Sequence, residues 1–424
     1  MATRKRPPVE LEYVIIERPT RTDNLQGAEE GVFGDVLESA PGAAAPAPPP
    51  ILSVTSAVLT AEQAQAKNDE PGMIAIPNMP VMLIQPRAAA DFGMQVSADA
   101  IGEAKASKMS WGIASIGADL SNLDGAGVRV AVIDTGIDSG HEAFKNKKIT
   151  GRNFTSGDPN DFADKHGHGT HCAGTVFGGP VDGVRIGVAP GVTDVFIAKA
   201  LDDNGRGTTK AVLDALRWAA ENKVEVVSMS IGFDFPGMVQ RLVKSGQAVP
   251  FATSIALVAY RETLKQFELC VADLLLENAG SHGMVIVAAS GNESRAHENP
   301  KNVVGVSVPA AASPDIISVG AALRNANAAL EIAPFSNVGP RLSAPGVDIV
   351  SARAGGGLIA MNGTSMACPH AAGAAVLWWQ NERINNNQDS GLSIRSSVIA
   401  TASAARFAPN VPIVSRGRGQ VKAP

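Results

Sequence analysis

From about residue 111 onward, short and nearly unbroken apolar runs alternate with longer stretches of helical character. Runs at 128–134 (VRVAVID), 195–201, 224–230 (VEVVSMS), 284–289 and 316–321 predict strands buried on both faces. Between them, Thr208 is placed to cap a helix running to about residue 222, and a long helical stretch covers roughly 252–279. Apolar strands alternating with helices predict an α/β fold built on a mostly parallel sheet with helices on both faces, three layers in all. In such sheets functional residues gather at the carboxyl ends of the strands.

The first hundred residues have a different pattern. Short strands are predicted at 13–17, 73–76 and 81–84, with an apolar run from Ile51 and a helix over 60–67. This predicts a small α+β unit. It is interrupted at 40–50 by APGAAAPAPPP, an extended and poorly packing Pro/Ala linker. Residues 87–107 are Ala-rich without clear periodicity and read as a second linker.

Composition narrows the function classes. The 424 residues are 45% hydrophobic and 18% charged, enough to bury a large core in a catalytic-size domain plus a smaller one. Net charge is −5 with no basic stripe, which argues against nucleic acid as a partner. Three cysteines, Cys172, Cys270 and Cys368, do not make a disulfide framework. Arg4, Lys5 and Arg6 are followed by Glu10, Glu12 and Glu17 rather than by an apolar core, so no signal peptide is expected. No run approaches the ~18 apolar residues of a membrane span. The expectation is a cytoplasmic protein with no membrane partner, with export by another route left open.

Three segments carry candidate chemistry. VAVIDTGID puts Asp134 at the end of a buried strand, and its plain reading is a strand-ending turn. DKHGHGTHCAG sets His168 and His171 among glycines that permit tight turns, and a metal pair is the competing reading. No HExxH pattern or cysteine pair completes a zinc site there. NGTSMACPHAAGAA sets Ser365 in a turn before a small-residue helix, where its plain reading is a helix cap.

Taken together, VAVIDTGIDSGH, DKHGHGTHCAGTV and NGTSMACPHAAGAA resemble the three signature motifs of the subtilisin-like serine proteases, in that family's order. The resemblance continues through SMSIG, AASGN, IISVGA, FSNVGP and SAPG to GRGQVKA at 417–423, about three-quarters of the chain. It implies a subtilisin-like catalytic domain over 107–424 and a serine endopeptidase with a catalytic set of Ser365, His168 and Asp134. Asn292 is implied as oxyanion donor, together with the backbone N–H of Ser365. Ser230, Ile231 and Gly232 are implied to pair with the substrate backbone, Gly232 leaving room for the residue before the cut bond. Residues 1–106 resemble the family's inhibitory propeptide, most closely over 54–86, which implies a zymogen that cuts itself within 87–110. Partners are then a protein or peptide substrate and the chain's own propeptide.

Departures from the family are local. Ala143 stands where many relatives carry a calcium-binding aspartate, and the loop FGGPVDGVR offers only Asp182 as a carboxylate. No cofactor is expected from these residues, and calcium at another place is left open. The 60 residues from Gly232 to Asn292 are more than compact relatives have, and they predict a lid or rim on the cleft, with padding away from it as the alternative. Cys172 beside His171 reads as an inert thiol, with a redox switch as the alternative. A protease dedicated to one precursor, an esterase and a catalytically silent scaffold remain as competing functions. The full catalytic set argues against the last.

Overall fold

The computed structural model describes residues 10–17, 53–92, 99–277, 283–385 and 390–424. The Pro/Ala linker at 40–50 and the basic residues 4–6 lie outside these. The chain divides into two compact units, residues 1–78 and 79–424.

In the first unit, β1 (Glu10–Glu17) pairs antiparallel with β2 (Ser53–Thr60) and, on its other edge, with β3 (Met73–Pro77). Between β2 and β3 runs α1 (Ala61–Asn68). Thr60 starts it with a capping box: its hydroxyl accepts from the Gln63 N–H, and the Gln63 side chain accepts from the Thr60 N–H. Tyr13, Ala64 and Ala75 form a small core.

The second unit opens with β4 (Pro80–Leu83), α2 (Ala100–Ser107) and α3 (Trp111–Ser115). Next come β5 (Val130–Asp134), β6 (Lys148–Asn153), α4 (His168–Phe177) and β7 (Asp194–Lys199). These lead to β8 (Arg206–Thr208), α5 (Thr209–Glu221), β9 (Val226–Met229) and β10 (Ile231–Phe233). The long stretch that follows is α6 (Phe235–Lys244) and α7 (Val249–Glu277). The rest is β11 (Val285–Ala289), β12 (Ile316–Arg324), β13 (Leu330–Ile332), β14 (Leu342–Pro345), β15 (Ile349–Ala352), β16 (Leu358–Met361), α8 (Thr364–Asn385), α9 (Gly391–Ala400) and α10 (Ile413–Arg416).

The main sheet has the order β13–β12–β11–β9–β5–β7–β6, with β14 also paired to β12. Every pairing in it is parallel except β12 with β13. The five residues of β5 and of β11 are all buried, as expected for strands covered on both faces. All ten residues of α4 are buried too, and α8 is buried from Thr364 through Leu377. Small residues let α8 approach its neighbours. A Cβ on Gly373 would sit 2.5 Å from Val188 Cβ.

Two elements differ from the sequence pattern. Residues 81–84 do not complete the small unit. Instead β4 is the central strand of a separate antiparallel sheet, between β10 and β8. A four-residue apolar strand carries no mark of its partner, and two open strand edges in the second unit take it. The Ala-rich stretch read as linker contains α2, capped by Asp99, whose carboxylate accepts from the Gly102 N–H at 2.7 Å. Alanine favours helix without imposing a periodic pattern.

Candidate active site

The candidate residues come from six different elements of the second unit, three of them at carboxyl ends of sheet strands or just beyond. Asp134 is the last residue of β5, Ser230 follows β9, Asn292 follows β11, and Ile231 and Gly232 lie in β10. His168 is the first residue of α4 and Ser365 the second of α8. The structure therefore brings all the expected site residues to one end of the sheet.

His168 and Asp134 are buried and tightly coupled, with His168 Nδ1 2.7 Å from Asp134 Oδ1. The same Oδ1 accepts from the Thr135 N–H at 2.8 Å. The loop carrying His168 is fastened to β5 by a group that sequence reasoning missed. Asp164 accepts from the Thr135 hydroxyl, the Gly167 N–H, and both the N–H and hydroxyl of Thr170, all within 2.9 Å. Burial alone would raise its pKa, but the bonds from Thr170, Gly167 and Thr135 outweigh that and hold the carboxyl below its ordinary value. The only signal for it was position, an aspartate four residues ahead of the histidine.

The Asn292 side chain is oriented by Thr364. Its Oδ1 accepts from both the N–H and the hydroxyl of Thr364 at 2.9 Å, which turns Nδ2 outward as a donor. A Cβ on Gly363 would lie 3.0 Å from that Nδ2, so glycine keeps the donor's approach open.

The cleft holds the chain's own residues 79–87. Leu83 pairs with Ile231, Met82 with Gly232 and Val81 with Phe233. The Ile84 N–H donates to the Ser230 carbonyl at 3.3 Å. On the opposite side Val81 pairs with Gly207, and the Leu83 N–H donates to the Gly205 carbonyl at 2.8 Å. This second wall, β8, was also missed, and its mark is the glycine pair in NGRGTT before the Thr208 cap. Val81, Leu83 and Ile84 are buried, whereas Met82 is 40% exposed. A Cβ on Gly232 would come within 3.5 Å of Ile84 Cγ1, so the missing side chain at 232 makes space for the residue at 84.

Two carbonyls share the reactive groups. The Ser365 hydroxyl donates to the Ile84 carbonyl at 2.9 Å, while Asn292 Nδ2 donates to the Gln85 carbonyl, also at 2.9 Å. No Ser365–His168 hydrogen bond forms among the described residues. Beyond the two carbonyls, Arg87 is clamped. Its N–H donates to the Asn362 carbonyl at 2.8 Å, Asn362 Nδ2 returns a bond to the Arg87 carbonyl, and its guanidinium reaches the Asn292 carbonyl at 2.9 Å. Attack requires one carbonyl to have its carbon against the serine oxygen and its own oxygen on the donor. Here the bonding is divided between adjacent residues.

Cys172 Sγ lies 3.4 Å from the Ser365 carbonyl and 3.7 Å from His168 Nδ1. Burial, with the Asp134 charge adding to it, pushes this thiol well above its ordinary pKa, so it stays protonated. Asp134, His168 and Cys172 have ligand atoms within 4.8 Å of one another, but a buried neutral thiol and a histidine already bonded to the aspartate are poorly suited to a metal. At the position of the family's calcium loop, the Gly179 N–H donates to the Ala143 carbonyl, and Asp182 pairs with Lys105 at 3.1 Å. One carboxylate already paired with an ammonium does not fit the six to eight oxygens that calcium takes. Among the described residues no helix is long and apolar enough to cross a membrane.

Comparison with known proteins agrees with this geometry. The subtilase family model matches residues 125–420. Subtilisin DY of Bacillus licheniformis is 34% identical over 64% of this chain and 85% of its own length. The major intracellular serine protease of Bacillus subtilis is 32% identical over 60% of this chain and 69% of its own. An intracellular serine protease of Paenibacillus polymyxa is 34% identical over 60% and 67% respectively. A chain with this sheet, this site and this match belongs to the subtilase family of serine endopeptidases.

Proposed function

We propose that this protein is a subtilisin-type endopeptidase held as a zymogen by its own residues 79–87, with Ser365 as nucleophile. In the mechanism, His168 takes the Ser365 proton as the oxygen attacks the scissile carbonyl, then returns it to the leaving amine. Asp134 fixes the imidazole tautomer and stabilises the imidazolium. The Asn292 amide and the Ser365 backbone N–H bind the oxyanion. Subtilisin is the worked case for such a donor, where losing the matching asparagine slows turnover about 100- to 1,000-fold. Ser230, Ile231 and Gly232 hold an extended substrate as an added strand.

The observation that carries the zymogen reading is the divided bonding of the cleft segment. With Ser365 bonded to the Ile84 carbonyl oxygen and Asn292 to Gln85, neither bond is presented for attack, and Pro86 gives the strand no N–H after Gln85. The segment fills the cleft as a substrate would, yet in an unproductive arrangement. Self-processing at a bond within 87–110 then frees the cleft. An intracellular setting is supported by three buried cysteines that form no disulfide and by the intracellular proteases among the relatives. The reading that the family's calcium position is unused is supported by the pairing of Asp182, the one carboxylate of that loop, with Lys105.

The test is intact mass and peptide hydrolysis of the wild type beside Ser365→Ala. A shortened, active wild type and an uncut, inactive variant are expected. Equal masses with no hydrolysis by either protein refute the reading.

A further inference from the structure

The bonding that holds residues 79–87 does not stop where β10 and β8 stop. The Pro80 carbonyl accepts from the Asp234 N–H at 2.8 Å, one residue past β10. The Met79 carbonyl accepts from the Thr209 N–H at 2.9 Å and from its hydroxyl at 3.2 Å, one residue past β8. Counting back from Ile84, whose carbonyl meets Ser365, these are the fifth and sixth residues before the bond at the nucleophile.

Asp234 lies within the extra stretch between Gly232 and Asn292, directly after β10. Its carboxylate caps α6 by accepting from the Gly237 N–H at 2.8 Å. Glycine at 237 leaves room for this cap, since a Cβ there would lie 1.8 Å from Asp234 Oδ2 and the carboxylate would have to shift. Phe233 packs edge-on against Phe267 and Phe235 against Tyr260, tying β10 and α6 to α7. Met238 and Leu242 of α6 are buried, and α6 packs against β4. The Asp234 N–H is therefore positioned by β10, α6 and α7 as a donor to the Pro80 carbonyl.

We propose that Asp234 and Thr209 are substrate-binding residues that extend backbone recognition to the fifth and sixth residues before the cut bond, so that the enzyme selects polypeptides extended over at least six residues on that side. This deepens the protease reading and rests on it. The stretch from 234 to 244 then acts as a rim that lengthens the cleft rather than as a lid over it.

The experiment uses the full chain and quenched-fluorescent peptides with one common cut bond. The peptides carry three, four or five residues before that bond, each closed by an acetyl group. The acetyl carbonyl then occupies the fourth, fifth or sixth position. Each added carbonyl is expected to raise kcat/KM about fivefold, the worth of one net hydrogen bond. Asp234→Pro removes the N–H, and the rate ratio of the four-residue to the three-residue peptide should fall about fivefold. Thr209→Val should lower the five-to-four ratio. A folding or capping defect scales all peptides alike and leaves the ratios unchanged, which would overturn the assignment for that residue. Equal kcat/KM for all three peptides on the wild type overturns the extension while leaving the protease reading intact. Hydrolysis of no peptide by wild type or variants refutes the protease reading itself.

Discussion

If residues 79–87 inhibit by filling the cleft, weakening their side-chain contacts should raise the activity of the uncut chain. Val81 and Leu83 are each 1% exposed, and their side chains point away from the exposed Met82. Val81→Ala with Leu83→Ala removes five buried carbons. At about 0.8 kcal/mol per carbon the closed state loses about 4 kcal/mol. That is an upper figure, because the released segment keeps part of its apolar surface covered. The open fraction should rise roughly 100- to 1,000-fold. The backbone bonds to β8 and β10 are untouched, so the change reports burial alone. The assay is the initial rate on a fluorogenic peptide, with intact mass taken at each time point so that only uncut chain is scored. Met82→Ala is the control, since that side chain is 40% exposed and should release the cleft far less. Activation by Met82→Ala equal to that of the double variant refutes the reasoning. So does a double variant that remains uncut and no more active than wild type.

Two further outcomes follow from buried titratable groups. Burial pushes His171 down to about 3 and His370 down to about 4, against about 6.5 for an imidazole in the unfolded chain. Both pKa values are depressed on folding, so the stability linked to them is present above pH 6.5 and is lost as pH falls toward 4. The unfolded chain takes up two protons there that the folded chain refuses, giving a slope approaching ~2.7 kcal/mol per pH unit. Urea unfolding at pH 7, 6 and 5 measures it, and His370→Gln should remove about one proton from the slope; an unchanged slope refutes the assignment. The second outcome concerns the thiols: Cys172, Cys270 and Cys368 are buried, and burial raises Cys172 well above its usual range and Cys368 to about 12. Iodoacetamide at pH 8 should leave the native protein unmodified and add three groups to the unfolded chain, as read by mass. Rapid labelling of the native protein would contradict the inert reading of Cys172.

Much of the site was legible in the sequence because its elements announce themselves locally. Asp134 ends a five-residue strand with no exposed position, so the apolar run and its stop mark both the strand and the residue. The glycines around His168 and the small residues after Ser365 answer to contacts that tolerate nothing larger. A Cβ on Gly169 would lie 2.2 Å from the Gly136 carbonyl oxygen, and one on Gly174 would lie 2.5 Å from Ser351 Oγ. What was not legible depends on partners distant in the chain. Asp164 acts through residues on two other segments, and a lone aspartate before a histidine carries no trace of that. The assignment of 81–84 failed for the same reason, since an apolar strand looks alike whether it closes its own sheet or lies in a cleft formed 120 to 150 residues later.

The cleft's two roles are set by one geometric difference. A substrate and residues 79–87 can make the same strand pairs with β8 and β10, because those bonds involve only backbone. They separate at the last step. A substrate must have a single carbonyl whose carbon faces Ser365 and whose oxygen faces Asn292, whereas the chain's own segment gives Ser365 the Ile84 oxygen and Asn292 the Gln85 oxygen. Affinity and reactivity are thereby uncoupled. Pairing that extends out to Asp234 and Thr209 increases how tightly the segment is held without bringing either bond into line for attack. The same extension that lengthens recognition of a true substrate therefore also strengthens inhibition by the chain's own segment. Weakening the pairing at its far end, at Asp234, should accordingly raise the basal activity of the uncut chain even as it lowers the preference for longer peptides.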